Sequence, residues 1–283
     1  MAESAVTGEH AAEVAQGRRF EFGANWTRFL SALDDGRIAE AESSLRAMLG
    51  LTPGASLAGK SFLDIGSGSG LFSLAARRLG AVVRSFDYDP KSVACTRELQ
   101  RRYFPGDPGW VVEEGSILDE RYVATLGTFD VVYSWGVLHH TGEMWRALEQ
   151  AQHMVNPGGL LWVAIYNKQA GLSTYWLWVK RLYNALPAVL KRPFAGVYLI
   201  YFAVLLFVAD VVRARPPLRR YRGQGHRGMS LYHDVVDWVG GLPFEVASPK
   251  ELIGFYEECG FSVVKLKTCG TKHGCNEVVV RKG

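Results

Sequence analysis

The chain has 283 residues, 48% of them hydrophobic, and can bury a substantial core as one elaborated domain or a domain with a cap. A formal net charge of +4 is too small to indicate nucleic acid by itself. The cysteines Cys95, Cys259, Cys269 and Cys275 contain no C-x-x-C pair and read as reduced thiols of a cytosolic protein.

In chain order, Met1 to Gly17 is polar and Ala-rich and reads as a fraying start without a cleavable leader. Arg18 to Leu30 places Phe20, Phe22, Trp26, Phe29 and Leu30 on a short helical spacing. Ile38, Ala41, Leu45, Met48 and Leu49 then mark a helix that Gly50 can end. These helices either pack on a sheet or form a lid over a pocket.

The central stretch is Phe62-Leu63-Asp64-Ile65-Gly66-Ser67-Gly68-Ser69-Gly70-Leu71-Phe72. An apolar run with an acid, three alternating glycines and an amphipathic stretch read as strand, tight loop and helix. Glycines at 66, 68 and 70 let the backbone turn and let a ligand approach it. The G-x-G-x-G spacing departs from the dinucleotide fingerprint G-x-G-x-x-G. Asp64, ahead of the first glycine, would repel a pyrophosphate and attract an ammonium, while the helix N-terminus favours a carboxylate.

Ala81 to Phe86 is a second strand, ending at Asp87-Tyr88-Asp89-Pro90. Asp87, about twenty residues past the first glycine, is placed to accept from ribose hydroxyls, and Asp89 to cap the next helix. Trp110 to Val112 is a third strand, leading into Ser116, Ile117 and Asp119. Phe129 to Ser134 is a fourth, running into Trp135-Gly136-Val137-Leu138-His139-His140-Thr141, with Thr141 as the cap of a following helix. Asn156-Pro157-Gly158-Gly159 turns into a fifth strand, Leu160 to Tyr166.

With its glycine loop and its F-D-V-V, L-H-H-T and N-P-G-G segments, the chain from about Ser61 to Asn167 resembles the class I S-adenosylmethionine (SAM) methyltransferases. It is similar to the small-molecule types, including those of quinone biosynthesis. The resemblance implies an α/β, doubly wound, Rossmann-like sheet of seven strands with the last one antiparallel. N-terminal helices and a large helical insertion acting as a cap complete the expected fold. The expected units are an N-terminal lid (1–50), a SAM-binding core (51–168), a cap (169–247) and a closing helix with two strands (248–283). The implied cofactor is SAM, leaving as S-adenosylhomocysteine. Its site is expected to draw on Asp64, Gly66, Ser67, Gly68, Gly70, Phe72, Asp87, Tyr88, Ser134, Trp135 and Gly136. Ile117 would pack on the adenine, and either Ser116 or Asp119 would meet its amine; Asp119 could equally be a helix cap.

The histidines favour a hydroxyl acceptor, since histidine titrates nearest neutral pH and can take its proton. His140 matches the family motif best, His139 is its neighbour, and His233 is a reserve from the cap. A metal is not expected, because His273 and Cys275 lack a partner pair at ligand spacing.

Gln169 to Met229 interrupts the strand–helix alternation with ten basic residues against one acid, Asp210. It also holds Trp176, Trp178 and the uncharged run Pro193 to Ala209. A single membrane span would strand the last two strands, Phe261 to Leu266 and Glu277 to Val280, on the opposite side. The run therefore reads as a buried cap helix or an in-plane amphipathic element. Ser248, Pro249 and Glu251 spell a capping box for a helix ended by Gly260.

The expected activity is methyl transfer to a small acceptor, acidic or lipophilic. Residues 169–229 are a candidate for subunit packing or for peripheral contact with the inner membrane surface in an otherwise cytoplasmic protein. The alternatives are an RNA methyltransferase using the basic insertion, though the N/D-P-P-Y/F signature is missing, and a non-catalytic SAM-binding scaffold.

Overall fold

Alternating side chains in short apolar strands require cover on both sheet faces. The computed structural model, which describes residues 2–23, 26, 30, 33–52, 54–212, 231–270 and 274–283, meets that requirement with helices. The strands are β1 (Ser61–Ile65), β2 (Val82–Asp87), β3 (Trp110–Glu114), β4 (Phe129–Trp135), β5 (Val155–Tyr166), β6 (Phe261–Lys267) and β7 (Cys275–Lys282). They form one sheet in the order β3-β2-β1-β4-β5-β7-β6. From β3 through β5 all neighbours are parallel, while β7 runs antiparallel to β5 and β6. This is the expected doubly wound sheet, and its strand order reverses between β1 and β4. Open α/β sheets bind ligands at that switch point.

The described helices are α1 (Ala2–Ala15), α2 (Asp35–Leu49), α3 (Leu71–Arg78), α4 (Pro90–Tyr103), α5 (Glu120–Leu126), α6 (Met144–His153), α7 (Ala170–Ala185), α8 (Ala188–Val212), α9 (Leu231–Gly240) and α10 (Pro249–Glu258). Leu63, Ile65, Val132, Val163, Val278 and Val280 form one core with α5, α6 and α10. Phe62, Val131, Tyr133, Trp162 and Val279 form the other with α2, α3 and α4. Asp64 shares the second face with Phe62 by strand alternation, which brings it under α3.

Several local expectations hold at atomic detail. Asp89 caps α4 by accepting from the Lys91 N–H, and Ser248 with Glu251 makes the full capping box of α10. Others do not. Thr141 does not cap α6; its hydroxyl donates to the Leu138 carbonyl at 2.7 Å. The first α6 amide, Met144, instead donates to Glu245 at 2.9 Å. The Asn156–Gly159 turn lies inside β5, as an excursion between the pairs Phe129–Val155 and Val131–Leu160.

The start of the chain is not frayed. Residues 2–15 are helical, and the helix is anchored by polar and edge contacts. Thr7 donates to Glu114 at 2.6 Å, and the buried His10 lies edge-on to Tyr88 at 5.4 Å. The expected helix over Arg18 to Leu30 does not begin at Arg18: residues 18–22 are irregular, Gly23, Trp26 and Leu30 are helical, and 24, 25 and 27–29 lie outside the described residues.

The insertion forms the cap α7–α9, which has its own small core of Trp176, Val179, Tyr183, Ala195, Val235 and Val239. Trp176 stacks on Phe202 at 5.7 Å and meets Trp238 edge-on at 5.4 Å. The apolar run from Pro193 lies within α8 and is not buried as a whole. Val197 and Ile200 are 65% and 66% exposed, because α7 and α9 cover only the opposite side.

Leu45, fully enclosed between α2 and the sheet, tests how firmly the N-terminal layer contributes to the fold. Leu45→Ala should lower the unfolding free energy by about 2–5 kcal/mol. Urea denaturation of both proteins measures the difference.

Candidate active site

The C-terminal ends of β1, β2 and β4 converge on a cavity of about 870 Å³. That volume suits a nucleoside-sized ligand together with a small acceptor. The glycine loop forms its floor. Gly66 has φ +74°, and a Cβ there would come within 2.4 Å of Val137. Gly68 has φ +54°, and a Cβ would crowd the Trp26 indole at 3.1 Å. Only glycine combines this backbone with such close neighbours.

Asp64 reaches the cavity from β1 and is 2% exposed. A directional relay holds it. Ser73 Oγ donates to Asp64 Oδ2 at 2.5 Å, so Ser85 Oγ must donate to Ser73, at 2.7 Å. Trp110 Nε1 in turn donates to Ser85 at 2.9 Å. Burial pushes the Asp64 carboxyl up to about 7 against these hydrogen bonds, with the nearby Asp87 adding to the rise.

Asp87 ends β2. Its Oδ2 accepts from the Gly68 N–H and its Oδ1 from the Asp89 N–H, each at 2.9 Å. The Tyr88 N–H adds a third, weaker backbone contact, which leaves at least one of the carboxylate's four acceptor positions open. Burial outweighs these bonds and raises this carboxyl, too, to about 7.

Of the sequence candidates, Asp64, Gly66, Ser67, Gly68, Phe72, Asp87, Tyr88, Ser116, Ile117, Trp135, Gly136 and His140 line this one cavity. The other candidates stand outside its lining. Gly70 is the N-cap of α3. Ser134 is fully buried and donates to the Ile65 carbonyl at 3.0 Å, tying β4 to β1. Asp119 caps α5 through the Arg121 and Tyr122 amides. The backbone of His233 lies in α9, but its side chain falls outside the described ones, as does His273.

The two histidines differ sharply. His140 lines the cavity, and its Nδ1 lies 2.6 Å from the Pro243 carbonyl. A carbonyl only accepts, so Nδ1 carries the proton and Nε2 presents a lone pair. Burial, reinforced by Lys180, pushes His140 down to about 3. His139 is wholly enclosed. Its Nδ1 accepts from the Tyr166 amide at 3.4 Å, and its ring lies 3.9 Å from that of Tyr166. His139 thus supports the wall behind the cavity rather than facing it.

Sequence reasoning missed two contributors, Arg19 and Lys180, while Trp26 is one of the aromatics it offered as a lid over the pocket. Arg19 stacks over Tyr88 at 4.8 Å and donates to the His140 carbonyl at 2.8 Å. Trp26 covers Gly68. Lys180 is fully buried, bonded to the Trp238 carbonyl and caged by the rings of Tyr166, Trp238 and Phe244 at 5.9, 4.8 and 4.7 Å. Burial pushes its amine down to about 7, opposed by Asp237. A Lys–Arg pair in an otherwise uncharged helix is visible in the sequence, but that Lys180 is the buried member depends on Trp238 and Phe244, far away in the chain.

The family model described as "Methyltransferase domain" matches residues 36–192, more than half of the chain. The chain therefore belongs to the class I, SAM-dependent methyltransferases. Among curated proteins, it is 32% identical over 112 residues to a ubiquinone biosynthesis O-methyltransferase of Sinorhizobium fredii, covering 40% of this chain and 43% of that one. It is 36% identical over 108 residues to a tRNA U34 carboxymethyltransferase of Methylococcus capsulatus, covering 38% and 32% respectively. The chain thus matches less than half the length of either relative. Among solved structures, magnesium protoporphyrin IX methyltransferase from Synechocystis, with S-adenosylhomocysteine bound, superposes with a TM-score of 0.54 at 13% identity. The match covers 92% of this chain and 94% of that one, and it bears on the fold.

The raised carboxyls give a signed pH effect. A group whose folded pKa exceeds its unfolded value stabilises the fold below the unfolded pKa and loses that contribution as pH rises through the folded one. For Asp64 the window runs from its ordinary value near 4 up to about 7. Relative to Asp64→Asn, which keeps the shape and cannot ionise, the wild-type protein should lose melting temperature steadily across that window. Thermal melts of both proteins from pH 5 to pH 8 measure it; a constant difference would contradict the burial argument.

Proposed function

We propose that this chain transfers the methyl group of SAM to a hydroxyl of a small, largely apolar acceptor, with His140 receiving the proton. One observation carries the reading: the glycine loop, Asp64, Asp87, His140 and the apolar cap side chains Phe202, Leu206 and Trp238 all line the same cavity.

The residues present fit the cofactor. The close approaches at Gly66 and Gly68 leave a cradle that side chains would fill. Asp64 offers a carboxylate for an ammonium, and Asp87 keeps an open acceptor position for the ribose hydroxyls. Ile117 and Ser116 suit an adenine plane and its edge, while Tyr88, Trp135 and Phe72 supply apolar cover. When bound, the cofactor supplies a methyl group on a sulfonium, activated for in-line displacement.

The chain's own residues then have mainly to position and to exclude water. The Pro243 carbonyl fixes the His140 tautomer so that Nε2 accepts from the acceptor hydroxyl. Burial and Lys180 hold the His140 pKa low, so the imidazole is neutral with its lone pair available; so weak a base accepts the proton only as the hydroxyl oxygen becomes strongly acidic on taking the methyl group. His140 orients the hydroxyl and takes its proton as the new bond forms. From the N-terminal side Arg19 holds the His140 backbone carbonyl, and the Phe22 ring lies 4.8 Å from the His140 ring.

An RNA acceptor is the second reading. The arginines of residues 213–230 and the relative whose name specifies tRNA support it. Affinity for tRNA that falls steeply with salt would favour it.

Two substitutions test the main reading. Asp87→Ala should weaken SAM binding roughly ten- to hundredfold through lost charge-assisted hydrogen bonds. Unchanged affinity by calorimetry in a folded variant would remove Asp87 from the cofactor site. His140→Ala should lower turnover roughly a hundred- to ten-thousandfold while leaving SAM affinity nearly intact. Mass spectrometry of an extract incubated with enzyme and isotope-labelled SAM identifies the acceptor for that assay. Near-normal turnover of His140→Ala together with a dead His233→Ala would move the base to the cap.

A further inference from the structure

We propose that the outward face of α8 docks in the plane of an anionic lipid bilayer. This goes beyond the methyl-transfer reading and does not depend on which acceptor is used.

Helix α8 is 25 residues long, about 37 Å at 1.5 Å per residue, and apolar enough to match a membrane core. Its outward face presents Val197, Ile200, Tyr201, Val204, Leu205 and Val208, all exposed. Its only acid, Asp210, is turned inward and buried at 2% exposure. An apolar face this long, left in water, calls for a partner.

Topology excludes a crossing. Helix α7 precedes α8, α9 follows it, and β6 and β7 complete the same sheet as β1–β5. Both ends of α8 thus return to one body on one side of any membrane. Only an orientation along the surface remains.

Charge selects lipid over a second copy of the chain. Lys191 and Arg192 lie near the start of α8, Arg213 follows directly after its end, and the sequence from 213 to 230 carries further arginines and no acid. In a twofold pairing of two α8 faces, parallel or antiparallel, basic ends would meet basic ends with no acid between them. Anionic headgroups complement the same pattern, each basic side chain adding to the attraction. Helix α7 adjoins through the Tyr175–Tyr198 hydroxyl contact at 3.0 Å. It adds the exposed Trp178 with Arg181 over its ring at 5.7 Å, an amphipathic pairing suited to the headgroup level. The opposite side of α8 contributes Phe202 and Leu206 to the cavity. The surface that meets lipid and the wall that meets the acceptor are two sides of one helix.

Sedimentation of the full chain with vesicles tests this. One set contains phosphatidylcholine and phosphatidylglycerol in equal parts, the other phosphatidylcholine alone. The wild-type chain should pellet with the anionic set, release as salt rises, and bind the neutral set far more weakly. Ile200→Glu with Val204→Glu should abolish pelleting, and Lys191→Gln with Arg192→Gln should weaken it roughly tenfold or more. SAM calorimetry and melting curves on each variant confirm that it is folded. Absence of pelleting with either set overturns the proposal, as does equal binding to both sets or pelleting unaffected by the two glutamates. A stable dimer that Ile200→Glu dissociates, with no vesicle binding, assigns the face to a second copy instead.

Discussion

Two carboxyl groups withdrawn from water, Asp64 and Asp87, constrain everything around the switch point of the sheet. A buried acid is costly unless hydrogen bonds hold it, and here the backbone and three side chains are committed to that task. Strand register sets Asp64 beside Ser85, and α3 brings Ser73 over both, which completes the relay from Trp110. Asp87 is held by the loop amide of Gly68 and by the amide of Asp89. Asp89 then accepts from the Gly23 amide at 2.7 Å and lies 3.8 Å from His10 Nε2. The N-terminal segment that covers the cavity is therefore attached to the same acidic corner that a nucleoside would occupy. The acidic corner of the cavity and its cover are one polar construction.

What was legible in the sequence was whatever depended on neighbours close in the chain. Phe62 to Phe72 declared its strand, loop and helix, because the period and the glycines are local properties. Asp89 and Ser248 declared themselves as caps for the same reason. Thr141 looked like a cap by the same rule, yet Glu245, a hundred residues on, supplies the group that the first α6 amide uses. Residues 2–15 gave no apolar periodicity. Their helix is held by His10 on Tyr88 and Thr7 on Glu114, contacts that no local pattern encodes. For α8, length and composition were readable, but a buried helix and an exposed one share that composition. Only the packing of α7 and α9 on one side distinguishes them.

The candidate site divides along the same line. Asp64, Asp87, Gly66 and Gly68 sit at two strand ends and the loop that follows the first, where the chemistry is written locally, and they line one cavity. The distinction between His139 and His140 was not readable, since adjacent residues in a short turn point different ways. What separates them is Tyr166 stacked on one ring and the Pro243 carbonyl on the other, both brought in from distant segments.

That last contact also determines how the cap and the chemistry are joined. The stretch from Gly241 to Ala247 is fastened to the core at successive points: Pro243 to the His140 ring, the Glu245 amide to the His139 carbonyl at 3.0 Å, and the Ala247 amide to the Tyr166 carbonyl at 3.0 Å. Immediately before it, α9 provides Trp238, whose carbonyl and ring hold Lys180. The buried cation and the two histidines therefore share one scaffold, and its positive charge disfavours a proton on either imidazole. Any displacement of the cap would move the carbonyl that fixes the His140 tautomer and the cation that adds to burial in keeping both rings neutral. The cap is thus both the apolar wall of the cavity and the setting that fixes the tautomer and the neutral state of His140.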